Sequence, residues 1–228
     1  MSQPDAPRPY RQVRFSAPPG SAVLLLVRHG ESEESHVDRP FPLVDGHGDP
    51  ALAPVGRAQA TAVCARLAGE GVDAVVVTTL RRTAETAAPL AAALGLVPTV
   101  EPDLREVHLG TWEGGAYRQK VIEGDPVARE MFATQRWDAI PGAESNEAFA
   151  ARVRAGIERI AAAHAGGRVA VFAHGGTIGT VLALASGSAP FAFVGADNGS
   201  ISEVVVTPTH WVVRRFNDAA HLAGIAVD

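Results

Sequence analysis

The sequence contains three short runs that are almost continuously apolar, and a stretch of helical character follows each of them. The runs are Ala22 to Val27, Asp73 to Thr78 and Arg168 to Ala173, and a weaker run covers Val97 to Glu101. A strand that is apolar on both faces is typical of a parallel sheet with helices on each side, because both of its faces are then buried. The pattern therefore predicts an α/β fold, a three-layer sandwich around a mostly parallel central sheet.

The predicted helices alternate with these strands and carry recognisable end signals. The first begins with Pro54, a residue suited to a first helical turn, and the second ends before Gly95. The third has one apolar stripe, with spacings of four, four and three residues, that can lie on a sheet. The predicted helices are Pro54 to Ala68, Arg82 to Leu94, Asn146 to His164 and Thr177 to Ala185.

The two ends of the chain differ from its middle. Ile201 to Thr207 and Trp211 to Phe216 alternate in polarity, which predicts an antiparallel edge of the sheet. Prolines are frequent before Gly20, so residues 1–20 are expected to form a flexible N-terminal leader. Since no break in composition divides the rest, residues 21–228 are expected to fold as a single domain with helices on both faces of the sheet.

Charge and hydropathy exclude several classes of partner. The formal net charge of -5 and the pI of about 5.9 argue against binding to nucleic acid or to a membrane surface, since both would repel an acidic protein. No apolar run approaches the roughly 18 residues of a membrane span, and the N-terminus lacks the apolar core of a signal peptide. We therefore expect a cytoplasmic protein.

Residues suited to phosphate chemistry follow all three apolar runs. Ligands of an open parallel sheet bind at the carboxyl ends of its strands, where loops and helix N-termini meet. Arginine offers a planar fork of donors to phosphate oxygens, imidazole is a nucleophile near neutral pH, and glycines let backbone N–H groups approach an anion. The three segments are Arg28 to Ser32, Thr79 to Arg82 and His174 to Thr177, and together they predict a phosphate site.

The first of these segments, in the run Val27 to Ser32 (VRHGES), resembles the signature of the histidine phosphatase superfamily. This family includes cofactor-dependent phosphoglycerate mutases and many small-molecule phosphatases. The resemblance continues in order along nearly the whole chain after the leader. The other similar segments are Leu52 to Ala60, Leu80 to Ala87, Leu104 to Gly114, Pro141 to Ser145 and Ala173 to Gly176.

The resemblance implies a role for each matching residue. His29 would accept the phosphoryl group, and Glu106 would donate a proton to the leaving alkoxide. Arg28, Arg82 and His174 would hold the phosphoryl oxygens. A phosphoryl transition state spreads negative charge over these oxygens, so fixed positive side chains can stabilise it without a metal. Neither a metal nor another cofactor is therefore expected, and the partner is a small phosphomonoester.

The resemblance also implies three further contacts to phosphate or substrate, from Glu31, Ser35 and Gly175. Ser35 stands where family members commonly have asparagine, so its contact is expected to be weak or absent. The segment 45–49 holds two aspartates and a histidine between glycines without a metal-site spacing, and it is expected to be a solvated loop. From the residues alone, several carboxylates compete with Glu106 as the proton donor, namely Glu31, Glu33, Glu34, Glu113 and Glu144.

Three functions remain open at this point: a phosphomonoesterase acting on a small metabolite, a phosphoglycerate mutase type of exchange, and an inert module that binds a phosphorylated partner. Gly176 stands where the mutases usually have asparagine, and Glu33 to Asp49 lacks their phenylalanine, glycine and tryptophan pattern, which favours hydrolysis. Selectivity is expected in Glu33 to Asp49 and in Gly115 to Ile140. The terminal strand pair could offer an edge to a second subunit, so a homodimer is possible.

Overall fold

The apolar runs form the central sheet of the protein, whose computed structural model describes residues 11–225. The strands are β1 (Ala22–Arg28), β2 (Leu43–Val44), β3 (His47–Gly48), β4 (Ala74–Val77), β5 (Thr99–Val100), β6 (Arg168–Ala173), β7 (Ile201–Val206) and β8 (Trp211–Asp218). The helices are α1 (Pro54–Leu67), α2 (Arg81–Leu94), α3 (Ala116–Ile122), α4 (Pro126–Thr134), α5 (Asn146–Ala163) and α6 (Gly175–Ser186).

Six of these strands form one mixed sheet in the order β5-β4-β6-β1-β7-β8. The first four are parallel to one another, and β7 and β8 add an antiparallel edge. The predicted mostly parallel sheet with an antiparallel edge is therefore confirmed. A separate antiparallel pair, β2 with β3, lies outside this sheet.

Each central strand sends alternate side chains into two different cores. In β1, Leu24 and Leu26 join the cluster that contains Phe149 of α5, whereas Leu25 and Val27 join the cluster beneath α1 and α2. Because successive residues of a strand point to opposite faces, a run with no polar position buries both faces. This alternation produces the predicted three-layer sandwich with helices on both faces.

Two helices that the sequence analysis did not predict lie between β5 and α5. No residue of α3 is fully buried, and α4 buries only Ala128 and Met131, so neither has a broad apolar stripe. Local signals set their starts: Gly115 has a φ of 104° before α3, and the carboxylate of Asp125 accepts a hydrogen bond from the N–H of Val127 at 2.9 Å before α4. These helices depend on caps and contacts more than on periodicity.

Only the second half of the predicted leader can be compared with the structure, because residues 1–10 lie outside the described residues. Residues 11–20 are exposed and form neither helix nor strand, and the guanidinium of Arg214 on β8 lies 3.8 Å from the centre of the Phe15 ring. The flexibility of the leader stays a prediction. Within residues 11–225, every helix is too short or too polar to cross a membrane.

Candidate active site

The carboxyl ends of β1 and β6 place two histidines side by side. Arg28 ends β1 opposite Ala173, which ends β6, so the next residues, His29 and His174, leave the sheet at the same edge. The N–H of His29 donates to the carbonyl oxygen of Ala173 at 3.0 Å. The two imidazole rings meet edge to face, with their centres 5.2 Å apart. The strand ends thus converge as the sequence predicts.

His29 is held in the form that a nucleophile requires. Its Nδ1 donates a hydrogen bond of 2.7 Å to the carbonyl oxygen of Gly30, so the proton is on Nδ1 and the lone pair is on Nε2. Its own carbonyl accepts a hydrogen bond of 2.9 Å from the Asn198 amide. Burial lowers the pKa of His29 well below its usual value, and the charges of Arg82 and Arg28 lower it further. The buried ring is therefore a neutral nucleophile at neutral pH.

Arg28 and Arg82 bring positive charge to the same edge. Arg82 is only 8% exposed, donates to the carbonyl oxygen of Gly48 at 2.9 Å and lies 4.0 Å from the carboxylate of Asp49. Burial lowers its pKa to about 10, so the guanidinium remains charged at neutral pH. Arg28 donates from Nη1 to the carbonyl oxygen of Ala196, while its buried Nε has no hydrogen-bond partner among the described residues. An anion beside His29 would supply that partner.

His174 lies behind His29 and is fully buried. Its Nε2 is 3.0 Å from the hydroxyl of Thr78, and its buried Nδ1 is unpaired within residues 11–225. When Thr78 donates to Nε2, Nδ1 carries the proton. His174 is not among the residues that line the cavity, so its contact to a phosphoryl oxygen stays a prediction. Burial, followed by the charge of Arg82, lowers the pKa of His174 well below its usual value.

The Glu106 carboxylate lies at the N-terminus of α6. It accepts hydrogen bonds from the N–H groups of Val107 at 2.9 Å, Gly176 at 3.0 Å and Thr177 at 3.2 Å. A Cβ atom on Gly176 would be 2.5 Å from the Glu106 Oε1, so glycine is required for this approach. The free N–H groups and the positive end of α6 thus fix the carboxylate at the rim of the cavity.

Two of the carboxylates that compete with Glu106 have structural roles. Glu113 accepts hydrogen bonds from the N–H groups of Gly48 at 2.7 Å and Leu109 at 2.9 Å. Glu144 forms a two-point ion pair with Arg152, with both distances 2.8 Å. Glu144 does not line the cavity, whereas Glu106 and Glu113 do. Of these two, Glu106 has the larger effect on the pKa values of Arg28 and Arg82, so it is the better placed acid.

Of the three further predicted contacts, the structure places only Gly175 in the cavity lining. Glu31 and Ser35 are half-buried outside it, and the competing acids Glu33 and Glu34 are exposed. Contacts to phosphate from Glu31 and Ser35 are therefore not supported by the geometry. Ser35 stands where family members commonly have asparagine, and its side chain is shorter than that of asparagine.

The prediction of a solvated loop at residues 45–49 holds for Asp45 and Gly46, which form an exposed turn, but is wrong for residues 47–49. The segment belongs to the β2–β3 hairpin, with His47 and Asp49 only 7% and 8% exposed. The carboxylate of Asp49 accepts a hydrogen bond of 2.8 Å from the N–H of Arg81 and so caps α2, the helix that carries Arg82. In the described part of the chain, no group of three potential ligands is arranged to hold a metal ion.

Arg118 is a site residue that the sequence analysis treated only as one charge in a selectivity segment. It lines the cavity, donates to the hydroxyl of Ser32 at 2.6 Å and to the carbonyl oxygen of Glu33 at 2.8 Å, and lies over the Phe41 ring. Its charge also lowers the pKa of His29. The signal that marks it is tertiary, since 86 residues separate Arg118 from Ser32.

The resulting cavity has a volume of about 300 Å³. Arg28, His29, Arg82, Gly175 and Glu106 all line it, and aromatic rings add to the lining. A nucleophile, an acid and several guanidinium groups can thus meet one phosphomonoester. This combination suits transfer of a phosphoryl group.

Comparison with known proteins agrees with the geometry. A family model described as histidine phosphatase superfamily (branch 1) matches residues 24–219. The chain is 31% identical to a metal-independent phosphoserine phosphatase of Arabidopsis thaliana, over 89% of this chain and 84% of that protein. It is similar to the structure of the mycobacterial glucosyl-3-phosphoglycerate phosphatase Rv2419c, with 29% identity, a TM-score of 0.72, and 86% and 98% of the two chains covered.

Other similar proteins differ in length or in the activity that they are named for. The chain is 37% identical over 163 residues to the bifunctional protein Rv2228c of Mycobacterium tuberculosis. The matched region covers 71% of this chain but only 43% of that protein. This chain therefore spans less than half the length of that relative. Further relatives are named as probable phosphoglycerate mutases.

Proposed function

Because this chain belongs to the histidine phosphatase superfamily, we propose that it is a phosphomonoesterase that hydrolyses a small phosphorylated metabolite through a phosphohistidine on His29. The observation that carries the proposal is the hydrogen bond of 2.7 Å between Nδ1 of His29 and the carbonyl oxygen of Gly30. It leaves the Nε2 lone pair available in a cavity that Arg28, Arg82 and Glu106 also line.

The first half of the reaction breaks the ester bond. Nε2 of His29 forms a bond to phosphorus while the bond from phosphorus to the ester oxygen breaks. Arg28, Arg82 and the Nδ1 of His174 stabilise the charge on the other phosphoryl oxygens. An alkoxide is a poor leaving group, so Glu106 in its protonated form transfers a proton to the ester oxygen, which departs as an alcohol.

The second half restores the enzyme. The Glu106 carboxylate accepts a proton from water while the water oxygen bonds to phosphorus, and the bond from phosphorus to Nε2 breaks. Phosphate leaves, and His29 returns to its neutral form. The guanidinium groups supply the positive charge and neutral His174 donates a hydrogen bond, so these steps need no metal.

A mutase would instead return the phosphoryl group to a second hydroxyl of the substrate. Gly176 stands where the mutases usually have asparagine, which favours hydrolysis, and a Cβ at this position would collide with the Glu106 carboxylate. The relatives named as mutases keep exchange as the alternative to be tested.

The test measures free phosphate and isomer formation together. Purified full-length protein is incubated with a panel of phosphorylated metabolites, and His29→Ala is the inactive control. Phosphate release without isomer supports the phosphomonoesterase. Isomer formation in excess of phosphate would establish exchange, and failure of every substrate to exceed the control would leave only the binding module.

A further inference from the structure

The position of Glu106 determines where the leaving group must lie. If Glu106 protonates the ester oxygen, the carbon attached to that oxygen emerges beside the carboxylate and away from His29. The neighbours of Glu106 at that point are aromatic. A Cβ atom on Gly176 would lie 2.5 Å from Glu106 Oε1 and 3.4 Å from Cζ2 of Trp137, so the indole borders the carboxylate.

Trp137 belongs to a continuous aromatic wall of the cavity. The Tyr117 ring lies 6.4 Å from Trp137 and 6.3 Å from Trp112, centre to centre, and all three rings line the cavity. Leu109 and Val107 continue the apolar lining. A leaving group that occupies this space would bury its surface against side chains that cannot solvate a charge.

The three arginines that line the cavity act on His29. Among its described lining residues, the arginines are Arg28, Arg82 and Arg118, and all three lower the pKa of His29, so they cluster at the phosphoryl end. The carboxylates that line the cavity are Glu106 and Glu113. Because Glu106 is the acid beside the ester oxygen, a second anionic group on the leaving alcohol would lie next to a carboxylate. The guanidinium groups are engaged elsewhere, since Arg28 and Arg82 act on the phosphoryl group and Arg118 donates to Ser32 and Glu33.

One polar group of the aromatic wall is an uncharged hydrogen-bond donor. Burial, aided by the charge of Glu106, raises the pKa of Tyr117 to about 12, so its phenol stays protonated and can donate a hydrogen bond. A hydroxyl group of the leaving alcohol could accept this hydrogen bond.

We propose that the leaving alcohol of the substrate is uncharged and presents an aromatic or other apolar face to Tyr117 and Trp137. This inference rests on the proposed phosphomonoesterase function. It excludes substrates whose leaving group carries a carboxylate or a second phosphate, such as the phosphoglycerates.

Three primary alkyl phosphates test the proposal: 2-phenylethyl phosphate, ethyl phosphate and 2-carboxyethyl phosphate. Each has the same reacting CH₂–O–P unit, so each needs the acid to a similar degree. Burial of a phenyl ring is expected to raise kcat/KM about tenfold or more over ethyl phosphate. The carboxylate is expected to lower kcat/KM below that of ethyl phosphate, because it would lie next to the Glu106 carboxylate.

Tyr117→Ala supplies the matched variant. It should remove most of the preference for the phenylethyl ester over the ethyl ester, and Phe132→Ala should keep it. Phe132 is an exposed ring of α4 that does not line the cavity. Retention of the full preference in Tyr117→Ala would overturn the assignment of the apolar face.

The outcomes separate this inference from the function on which it rests. Phosphate release that is equal for the three esters, or greatest for the carboxyethyl ester, would overturn the proposed substrate class and leave the phosphomonoesterase intact. If none of the three, nor an activated aryl phosphate, is hydrolysed above the level of His29→Ala, the proposed function itself fails.

Discussion

Arg152 of α5 donates a hydrogen bond of 2.8 Å to the backbone carbonyl oxygen of Glu106. The same guanidinium donates to the carbonyl oxygens of Asp103 and Arg105, also at 2.8 Å, and pairs with the carboxylate of Glu144. One side chain thus holds the backbone of residues 103–106, the segment that carries the Glu106 carboxylate. Arg152 is a positioning residue, because it reaches the reaction only through the backbone that carries Glu106.

We predict that Arg152→Lys selectively slows reactions that need the acid. A point charge cannot reproduce the planar fork, so the Glu106 loop should loosen and kcat on an alkyl phosphate should fall about tenfold to a hundredfold. Phosphorylation of His29 by an aryl phosphate should change little. Single-turnover kinetics on both esters measure this split, and Arg159→Lys on the same helix is the control, since Arg159 pairs with Glu101 and Asp103 instead.

An equal loss on both esters would mean that Arg152 only supports the fold. The double variant with Glu106→Gln gives a second check. If Arg152 acts through Glu106, its substitution should cost little once the acid has been removed, so the two effects on alkyl phosphate should not add.

Glu106→Gln should separate bond cleavage from leaving-group protonation. We expect kcat on an alkyl phosphate to fall by about 10² to 10⁴, the usual contribution of a positioned general acid. An aryl phosphate leaves as a stabilised phenolate, so a burst of phenol should persist while phosphorylated enzyme accumulates. Glu158→Gln, at an exposed residue of α5, is the control. Equal losses on alkyl and aryl esters in single turnovers would show that Glu106 merely holds the cavity together.

Activity should depend on the planar shape of the two buried arginine side chains as well as on their charge. Arg28→Ala and Arg82→Ala should each raise the activation free energy of kcat/KM by about 2 to 4 kcal/mol, as expected when a donor to developing charge is removed. Lysine should restore activity only partly. Arg81→Ala, the exposed neighbour on α2, should remain close to wild type. Equal activity of the lysine and alanine variants would contradict donation from a fork.

The depressed pKa values of His29 and His174 predict a dependence of stability on pH. In the unfolded chain a histidine titrates near 6.5, so below that pH the unfolded state binds protons that the folded state does not. The free energy of unfolding should therefore fall as the pH is lowered from about 7.5 to about 5.5. Urea titrations should show a smaller fall of the unfolding free energy for His29→Gln than for wild type. His36→Gln, which alters an exposed residue, should show the same fall as wild type. An unchanged slope in His29→Gln would contradict a buried neutral ring.

The fold and the core of the site could be predicted because their signals are local. A strand apolar at Leu24, Leu25 and Leu26 must bury both faces, and the residue that follows such a strand in a parallel sheet faces the ligand edge. With arginines and a second histidine following the other apolar strands, this position made His29 a candidate before any family resemblance. The family resemblance then added Glu106, which no spacing in the sequence distinguishes from its competitors.

The remainder of the site could not be predicted because it depends on contacts between distant segments. In the sequence, Asp49 is one residue of a polar glycine-rich segment, and only the fold places its carboxylate at the start of α2. Arg118 is likewise one cation of a helix, and only the fold brings its guanidinium to the hydroxyl of Ser32. Arg152 is likewise one arginine among several on α5, and only the fold brings it to the Glu106 carbonyl. Periodicity and strand ends carry no information about these pairs.

The central claim is the covalent phosphohistidine, and the phosphorylation state of His29 during turnover tests it most directly. Wild type and Glu106→Gln are mixed with an aryl phosphate, quenched in base within the first turnover, since phosphohistidine is labile to acid, and digested for mass spectrometry. The account predicts one phosphoryl group on the peptide that contains His29, formed as fast as phenol is released and absent from His29→Ala. Phenol release at the wild-type rate with no phosphoryl group on His29 would contradict it.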